Sequence, residues 1–262
     1  MEKCAVVTGA SKGIGLEIAR KLSEEGYQVF GLSRTKGPLR EVTWISCDVT
    51  DSRSVSDGFA EVLQAAGRID VLVANAGMGI SGAAEFAPEA DYRRQFEVND
   101  FGTVACAQKA AAVMRGQGGG RILFISSLAA IFPLPFQSFY SASKAALNGF
   151  SDALGIELKP FGVQTCAIML NDVRTEFTDN RVKTADGDDV YGGRIKASVS
   201  KMEKSERNGM TPRQVADVAW SLLQRRKMPS HKIVGISNEF LGLLYRLLPT
   251  DTMLWLLGKI YG

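Results

Sequence analysis

The chain has 262 residues, 45% hydrophobic and 23% charged, with a formal net charge of +3, a length that suits one large α/β domain with an ample core. Basic and acidic residues are interspersed, which excludes the concentrated positive stripe of a nucleic-acid binder, and no nucleic-acid partner is expected. Cys4, Cys47, Cys106 and Cys166 stand apart without CxxC spacing and His231 is the one histidine, so no metal site is expected and the cysteines read as buried reduced thiols.

Met1-Glu2-Lys3 leads straight into the first apolar run, which leaves no room for a signal peptide and implies a reducing, cytoplasmic compartment. Short apolar, β-branched runs recur at residues 5–7, 29–32, 44–46, 71–74, 122–125, 163–169 and 232–234. Between them, residues 16–22, 53–66, 92–114 and 141–159 read as helices. The alternation predicts an α/β fold, a doubly wound parallel Rossmann sheet with helices on both faces. Parallel strands need crossovers, and runs apolar on both faces need two covers. No linker or internal repeat divides residues 1–262, so a single domain is expected.

The rhythm breaks at residues 171–211, where Asp, Lys, Arg, Gly and Thr dominate. This segment follows a strand end and reads as a mobile substrate lid, or else as a solvated insertion. Residues 238–262 read as an amphipathic extension. Phe240, Leu243, Leu244, Leu247 and Leu248 share one helical face, and after Pro249 come Met253, Leu256, Leu257 and Ile260. Neither helix is long enough to span a bilayer.

Between the first strand and the first helix stands Thr8-Gly9-Ala10-Ser11-Lys12-Gly13-Ile14-Gly15. Its glycines let the backbone turn sharply and let a pyrophosphate approach the free N–H groups of a helix start. Such a turn can also serve strand-to-helix geometry alone.

Tyr140 and Lys144 are four residues apart, hence one helical turn apart on one face. A unit charge about 4 Å away at an effective dielectric near 20 is worth roughly 4 kcal/mol, about three pKa units, which would bring a phenol from about 10 toward 7. Ser127 lies at the end of the run 122–125, where an open α/β sheet presents side chains to a ligand crevice, and Ser126 is a rival for the same role.

Taken in order, these residues resemble the short-chain dehydrogenase/reductase family over nearly the whole chain. TGASKGIG at residues 8–15 resembles its cofactor turn, Asn75-Ala76-Gly77 its NAG element, Asn99 its active-site asparagine, Ser127 its serine and Tyr140 with Lys144 its YxxxK pair. The resemblance implies hydride transfer between a nicotinamide cofactor and a carbonyl or alcohol. It assigns proton exchange to Tyr140, the substrate oxygen to Ser127, the nicotinamide ribose to Lys144 and a relay water to Asn99. It also implies cofactor contacts at Gly9, Ser11, Lys12, Gly13, Ile14 and Gly15, and at Ser33, Arg34, Asp48, Val49, Asn75, Ala76, Gly77, Val173 and Thr175.

An NAD site of this kind carries an acid after the second strand, but here the strand runs into Ser33-Arg34-Thr35-Lys36. Arg34 offers a fork for a 2′-phosphate and Lys12 a second positive charge, so NADP(H) is the expected cofactor, with Arg34 as a plain surface residue the alternative. Leu170-Asn171 replaces the family's Pro-Gly, and Asn171 would tolerate the positive φ of that turn. The C-terminal pattern is similar to that of members acting on steroids, retinoids and other lipids. It implies a hydrophobic small-molecule carbonyl or alcohol; an extra core layer, a subunit contact or, with only Arg246 and Lys259 nearby, interfacial membrane docking compete. By the same resemblance a homodimer or homotetramer is expected. The rival functions are a 3-oxoacyl thioester reductase, a non-catalytic NADPH-binding sensor or scaffold, and a serine hydrolase using His231.

Overall fold

The computed structural model describes residues 2–261, apart from the side chains of Ile236, Ser237, Leu243 and Arg246. The chain opens with β1 (Cys4–Thr8), α1 (Gly13–Glu24), β2 (Gln28–Ser33), β3 (Thr43–Ser46), α2 (Ser52–Ala66) and β4 (Val71–Ala74). A two-residue strand β5 (Ile80–Ser81) precedes α3 (Glu89–Phe96), which a turn of π-helix at Glu97–Phe101 joins to α4 (Gly102–Gly116). β6 (Gly120–Ser127), α5 (Ser138–Leu158), β7 (Val163–Leu170), α6 (Phe177–Asn180), β8 (Val182–Lys183) and α7 (Arg194–Arg207) follow. Then come α8 (Pro212–Leu223), β9 (His231–Ile233), α9 (Ile236–Leu247) and α10 (Thr250–Tyr261).

Seven strands form one parallel sheet in the order β3-β2-β1-β4-β6-β7-β9. All seven apolar runs read from the sequence are in it. Because side chains alternate across a strand, successive residues feed opposite cores. Val7, Val73 and Leu123 join the residues under α1 and α8, such as Ile18, Leu22, Val215 and Leu222. Val6, Leu72 and Phe124 join those under α2, α4 and α5, such as Val55, Phe59, Met114 and Leu147. The sheet is thus covered on both faces, as the alternation requires.

Strand order reverses on either side of β1, so the carboxyl ends of β1 and β4 open a crevice there. Local signals fix the flanking helices. Asp51 caps α2 by accepting from Arg53 N at 2.8 Å, and Gly67 ends it with a φ of 69°. Thr211 and Gln214 form a capping box on α8.

Residues 171–211 are more ordered than their polar composition suggests. They hold α6, β8 and α7; β8 pairs in parallel with β5, and α7 buries Ile195, Ser198 and Met202. Ion pairs join its parts, Arg181 with Glu206 and Lys183 with Glu203 among them.

Candidate active site

At the β1 end the backbone takes up the turn that its glycines permit. Gly9 has φ 62° and Gly13 φ 57°, conformations that favour glycine. A Cβ on Gly9 would stand 2.9 Å from Ala76 Cα. One on Gly15 would stand 2.4 Å from Asn75 Nδ2 and 2.5 Å from Gly9 O. Asn75 fastens this junction: its Nδ2 donates to Thr8 O at 3.0 Å and Gly9 O at 3.2 Å, while the N–H groups of Asn75 and Ala76 both donate to Thr8 Oγ1 at 3.0 Å. α1 begins beyond Lys12 with no side-chain cap and no acid in its first turn. Its free N–H groups therefore face the crevice, which is the chemistry a nucleotide pyrophosphate requires.

A cavity of about 1040 Å³ runs from this turn to the C-terminal helices. It is lined by Gly9, Ser11, Lys12, Gly13, Ile14, Ser33, Arg34, Asp48, Val49, Asn75, Ala76, Gly77, Ser127, Tyr140, Lys144, Val173 and Thr175. Two expected residues are not in its wall. Gly15 is a packing glycine, as its near contacts show. Asn99 is buried behind the wall on the π-helical turn, where its side chain accepts from Met78 N at 2.8 Å and donates to Met78 O at 3.0 Å and Ser143 Oγ at 3.1 Å. These bonds hold the strand end after β4.

Arg34 is exposed at the mouth beside Ser33, whose hydroxyl donates to Thr35 O at 2.7 Å. Asp48 accepts from Thr50 N at 3.0 Å, and that N–H holds its carboxyl below the usual range. No acid takes the place of Arg34 after β2, in keeping with the sequence.

Ser126 and Ser127 divide at the end of β6. Ser126 is buried and donates to Asn148 Oδ1 at 2.7 Å, whereas Ser127 Oγ, accepting from Ala129 N at 3.1 Å, stands beside Tyr140. Lys144 Nζ donates to Ile125 O at 2.9 Å and lies 5.8 Å from the centroid of the Tyr140 ring.

Burial pushes the Tyr140 phenol up to about 12, with the Ser127 hydroxyl and then Arg181 pulling it back and Glu206 opposing them. The ammonium of Lys144 was expected to bring this phenol down; the structure does not give that outcome. Desolvation dominates, and Lys144, itself pushed down to about 8 by burial and drawn up by Asp100, is tied to a carbonyl rather than to the phenol.

The turn after β7 also departs from expectation. Among the described residues Phe136 is the one non-glycine with positive φ, so Asn171 does not use it; its Nδ2 donates to Asn238 Oδ1 at 3.3 Å and ties the turn to α9. Leu241, Leu244, Leu248, Met253, Leu256, Leu257 and Ile260 line the cavity, while Phe240 and Leu247 point outward. Leu243 and Arg246, named from the sequence, lie outside the described side chains. His231 stands 3.0 Å from Asp152 and is not in the cavity wall, so it cannot serve either serine as a base. All four cysteines are free and buried, and no metal-binding group occurs among the described residues.

The short chain dehydrogenase family profile matches residues 3–186. The chain belongs to the short-chain dehydrogenase family. It is 38% identical over 234 residues to 3-ketodihydrosphingosine reductase of Bacteroides thetaiotaomicron, covering 88% of this chain and 87% of that protein. It is 35% identical over 191 residues to human (Homo sapiens) 17-beta-hydroxysteroid dehydrogenase type 1, covering 66% of this chain and 58% of that protein. A short-chain dehydrogenase structure from Streptomyces avermitilis superposes with a TM-score of 0.85 at 28% identity, covering 99% of this chain and 97% of that one.

The cavity of this short-chain dehydrogenase contains side chains that spacing along the chain did not reveal. Asp172, Phe177, Arg181 and Glu206 all line it. The Phe177 ring is 5.9 Å from that of Tyr140, and the Arg181 guanidinium is 5.6 Å from the Phe177 ring. They converge because β8 pairs with β5, which places Arg181 beside Gly79; no local sequence signal announces that pairing.

Proposed function

We propose that this oxidoreductase reduces a hydrophobic ketone with NADPH. The observation that carries the reading is one continuous cavity whose wall includes the uncapped glycine turn at one end, Ser127 and Tyr140 in the middle and an apolar roof from α9 and α10 at the other.

A nicotinamide nucleotide, when bound, supplies the hydride. Gly9, Ser11, Gly13 and Ile14 would hold its phosphates, Arg34 and Lys12 a 2′-phosphate, and Asp48 and Val49 the adenine. Asn75, Ala76, Gly77, Lys144, Val173 and Thr175 would hold the remainder. Ser127 donates a hydrogen bond to the substrate carbonyl oxygen. Tyr140, which keeps its proton through the neutral range, donates it to the same oxygen as charge develops there. Lys144, held by Ile125 O, lies 5.8 Å from the centre of the Tyr140 ring, while Asn99 keeps the β4 end and Ser143 in register. The lid from residues 171–211 and the C-terminal roof exclude water.

The hydrophobic substrate class rests on six apolar side chains of α9 and α10, with Leu248 between them, in the cavity wall, and the related proteins named for a sphingoid ketone and a steroid fit it. We place the enzyme as a homo-oligomer through α4 and α5, where Phe101 just before α4 and Ile156 on α5 are exposed at 61% and 75%.

The test is NADPH oxidation across long-chain ketones, steroids, retinals and acyl thioesters, repeated with NADH. Turnover of a lipid ketone with NADPH preferred is expected, and Tyr140→Phe should lower kcat by about 10²-fold or more while nucleotide binding persists. Equal rates in Tyr140→Phe, or a preference for NADH, would overturn the catalytic and the cofactor assignments respectively.

A further inference from the structure

Met253-Leu254-Trp255-Leu256-Leu257 makes α10 apolar around its whole circumference. A helix of that kind is covered on all sides, by protein or by lipid. Here protein covers one side. Met253 is buried with Leu128, Phe132 and Met169, and Leu257 packs against them, whereas Leu254 and Trp255 are exposed and lie outside the cavity wall. On α9, Phe240, Leu244 and Leu247 follow one another at i, i+4 and i+7 and so share one stripe. Leu244 lines the cavity, while Phe240 and Leu247 on the same stripe are exposed. The two helices thus carry an apolar surface that continues from the outside of the molecule into the cavity through Leu241, Leu256 and Ile260, which line the cavity and are themselves exposed.

Cations stand at the edge of this surface against aromatic rings. Lys259 Nζ lies 6.0 Å from the centroid of Trp255. Lys201 reaches over from α7: its Nζ lies 5.3 Å from the centroid of Tyr261 and donates to Ile260 O at 2.6 Å, a placement that the sequence of α9 and α10 does not show. Among the described residues neither ammonium has a carboxylate partner. Of the acids on the two helices, Glu239 is paired with Lys232, and Asp251 stands in the first turn of α10, where it complements the helix dipole. Ammonium groups beside aromatic rings suit the level at which alkyl chains give way to anionic head groups.

The course of the surface decides what covers it. A second protein seated on α9 and α10 would close the way into the cavity. A bilayer would open it, because an alkyl chain could pass from the membrane to Leu241, Leu244 and Leu256 along apolar side chains without entering water. Each helix has 12 residues, about 18 Å of length, too short to span and suited to lying in the plane of the interface.

We propose that α9 and α10 dock this protein on the surface of a bilayer containing anionic lipid, with Phe240, Leu247, Leu254 and Trp255 in the acyl boundary and Lys201 and Lys259 at the head groups. The docking surface stands by itself; its role as the route by which a hydrophobic substrate enters rests on the ketone-reductase reading.

The test is sedimentation of the full chain with sucrose-loaded vesicles, of phosphatidylcholine alone and of phosphatidylcholine mixed with phosphatidylglycerol. Binding to the mixed vesicles is expected, and Leu247→Glu combined with Trp255→Glu should weaken it by about tenfold or more, because two apolar side chains leave the acyl boundary. Lys259→Gln should weaken it about fivefold on the mixed vesicles and leave the neutral ones unaffected. A native chain that stays in the supernatant with both vesicles, or a double variant that binds as well as the native chain, overturns the proposal. So does a double variant whose molar mass by light scattering, without lipid, falls below the native one, which would make this face a contact between copies of the chain. Should the double variant fail to fold, the native preference for mixed vesicles and its loss in Lys259→Gln decide. The double variant should also lose kcat/KM for a long-chain ketone presented in mixed vesicles and keep its rate on a short, water-soluble ketone. Vesicle binding without reduction of any ketone would refute the reductase reading and leave the docking surface standing; ketone reduction without vesicle binding would do the reverse.

Discussion

A phenol enclosed by protein holds its proton unless a cation reaches it directly, and Tyr140 illustrates the balance. Burial raises it to about 12 although Lys144 is one helical turn away, because Nζ donates to Ile125 O. The same burial makes Lys144 the titrating group near neutrality, at about 8. The sign follows from its direction. Below about 8 the folded chain must keep a buried ammonium, and between about 8 and 10.5 the unfolded chain binds a proton that the folded chain has released, so stability rises with pH across that window. The shift corresponds to something on the order of 3 kcal/mol. A lysine-selective NMR titration, assigned with Lys144→Arg, should therefore show one ε-signal moving near pH 8. A signal that titrates with the bulk lysines would show that water reaches the site. The YxxxK spacing made the pair visible in the sequence, but which partner burial would perturb was not, since local spacing says nothing about the carbonyl that captures Nζ.

At the scale of elements, α9 and α10 carry the proposal of a lipid substrate. Their inner residues, Leu244, Leu248, Met253 and Leu257, face the cavity, while Phe240, Leu247 and Trp255 are exposed at 60%, 70% and 62%. Helical periodicity announced both helices, yet it could not say which arc of each would turn inward; Phe240 and Leu247 share a face with Leu244 and still point away. Deleting residues 249–262 removes α10 from the roof. KM for a long-chain ketone should then rise about tenfold, as several buried methylene contacts are lost, with a much smaller effect on a short-chain ketone. Equal losses for long and short ketones would show that the helix supports the fold rather than the alkyl tail. The segment 171–211 teaches a complementary lesson. Its polar composition suggested a loose flap, whereas α7 and the β5–β8 pair fold it around Arg181 and Glu206.

For the molecule as a whole, two hydrophobic cores lie on opposite faces of one parallel sheet, and the crevice at the reversal of strand order gathers the site. Among the described residues no helix is long and apolar enough to cross a membrane. The exposed Ile156 on α5 and Phe101 beside α4 are isolated from the cavity, and covering them is the role proposed for a partner subunit. Ile156→Glu should lower the molar mass measured by light scattering toward that of one chain, and an unchanged mass would place the subunit contact elsewhere. By itself the sequence determined the seven strands, the crossovers and the glycine turn, because period-two burial and glycine stereochemistry act over a few residues. It also determined the Ser127, Tyr140 and Lys144 constellation, because their spacing is local or anchored to a strand end. Only the tertiary structure decided that the Asn99 side chain bonds Met78 and Ser143, and that the phenol is raised rather than lowered. It alone brought Asp172, Arg181 and Glu206 into one wall. Those outcomes depend on desolvation and on pairings between segments far apart in the chain, which no local pattern encodes.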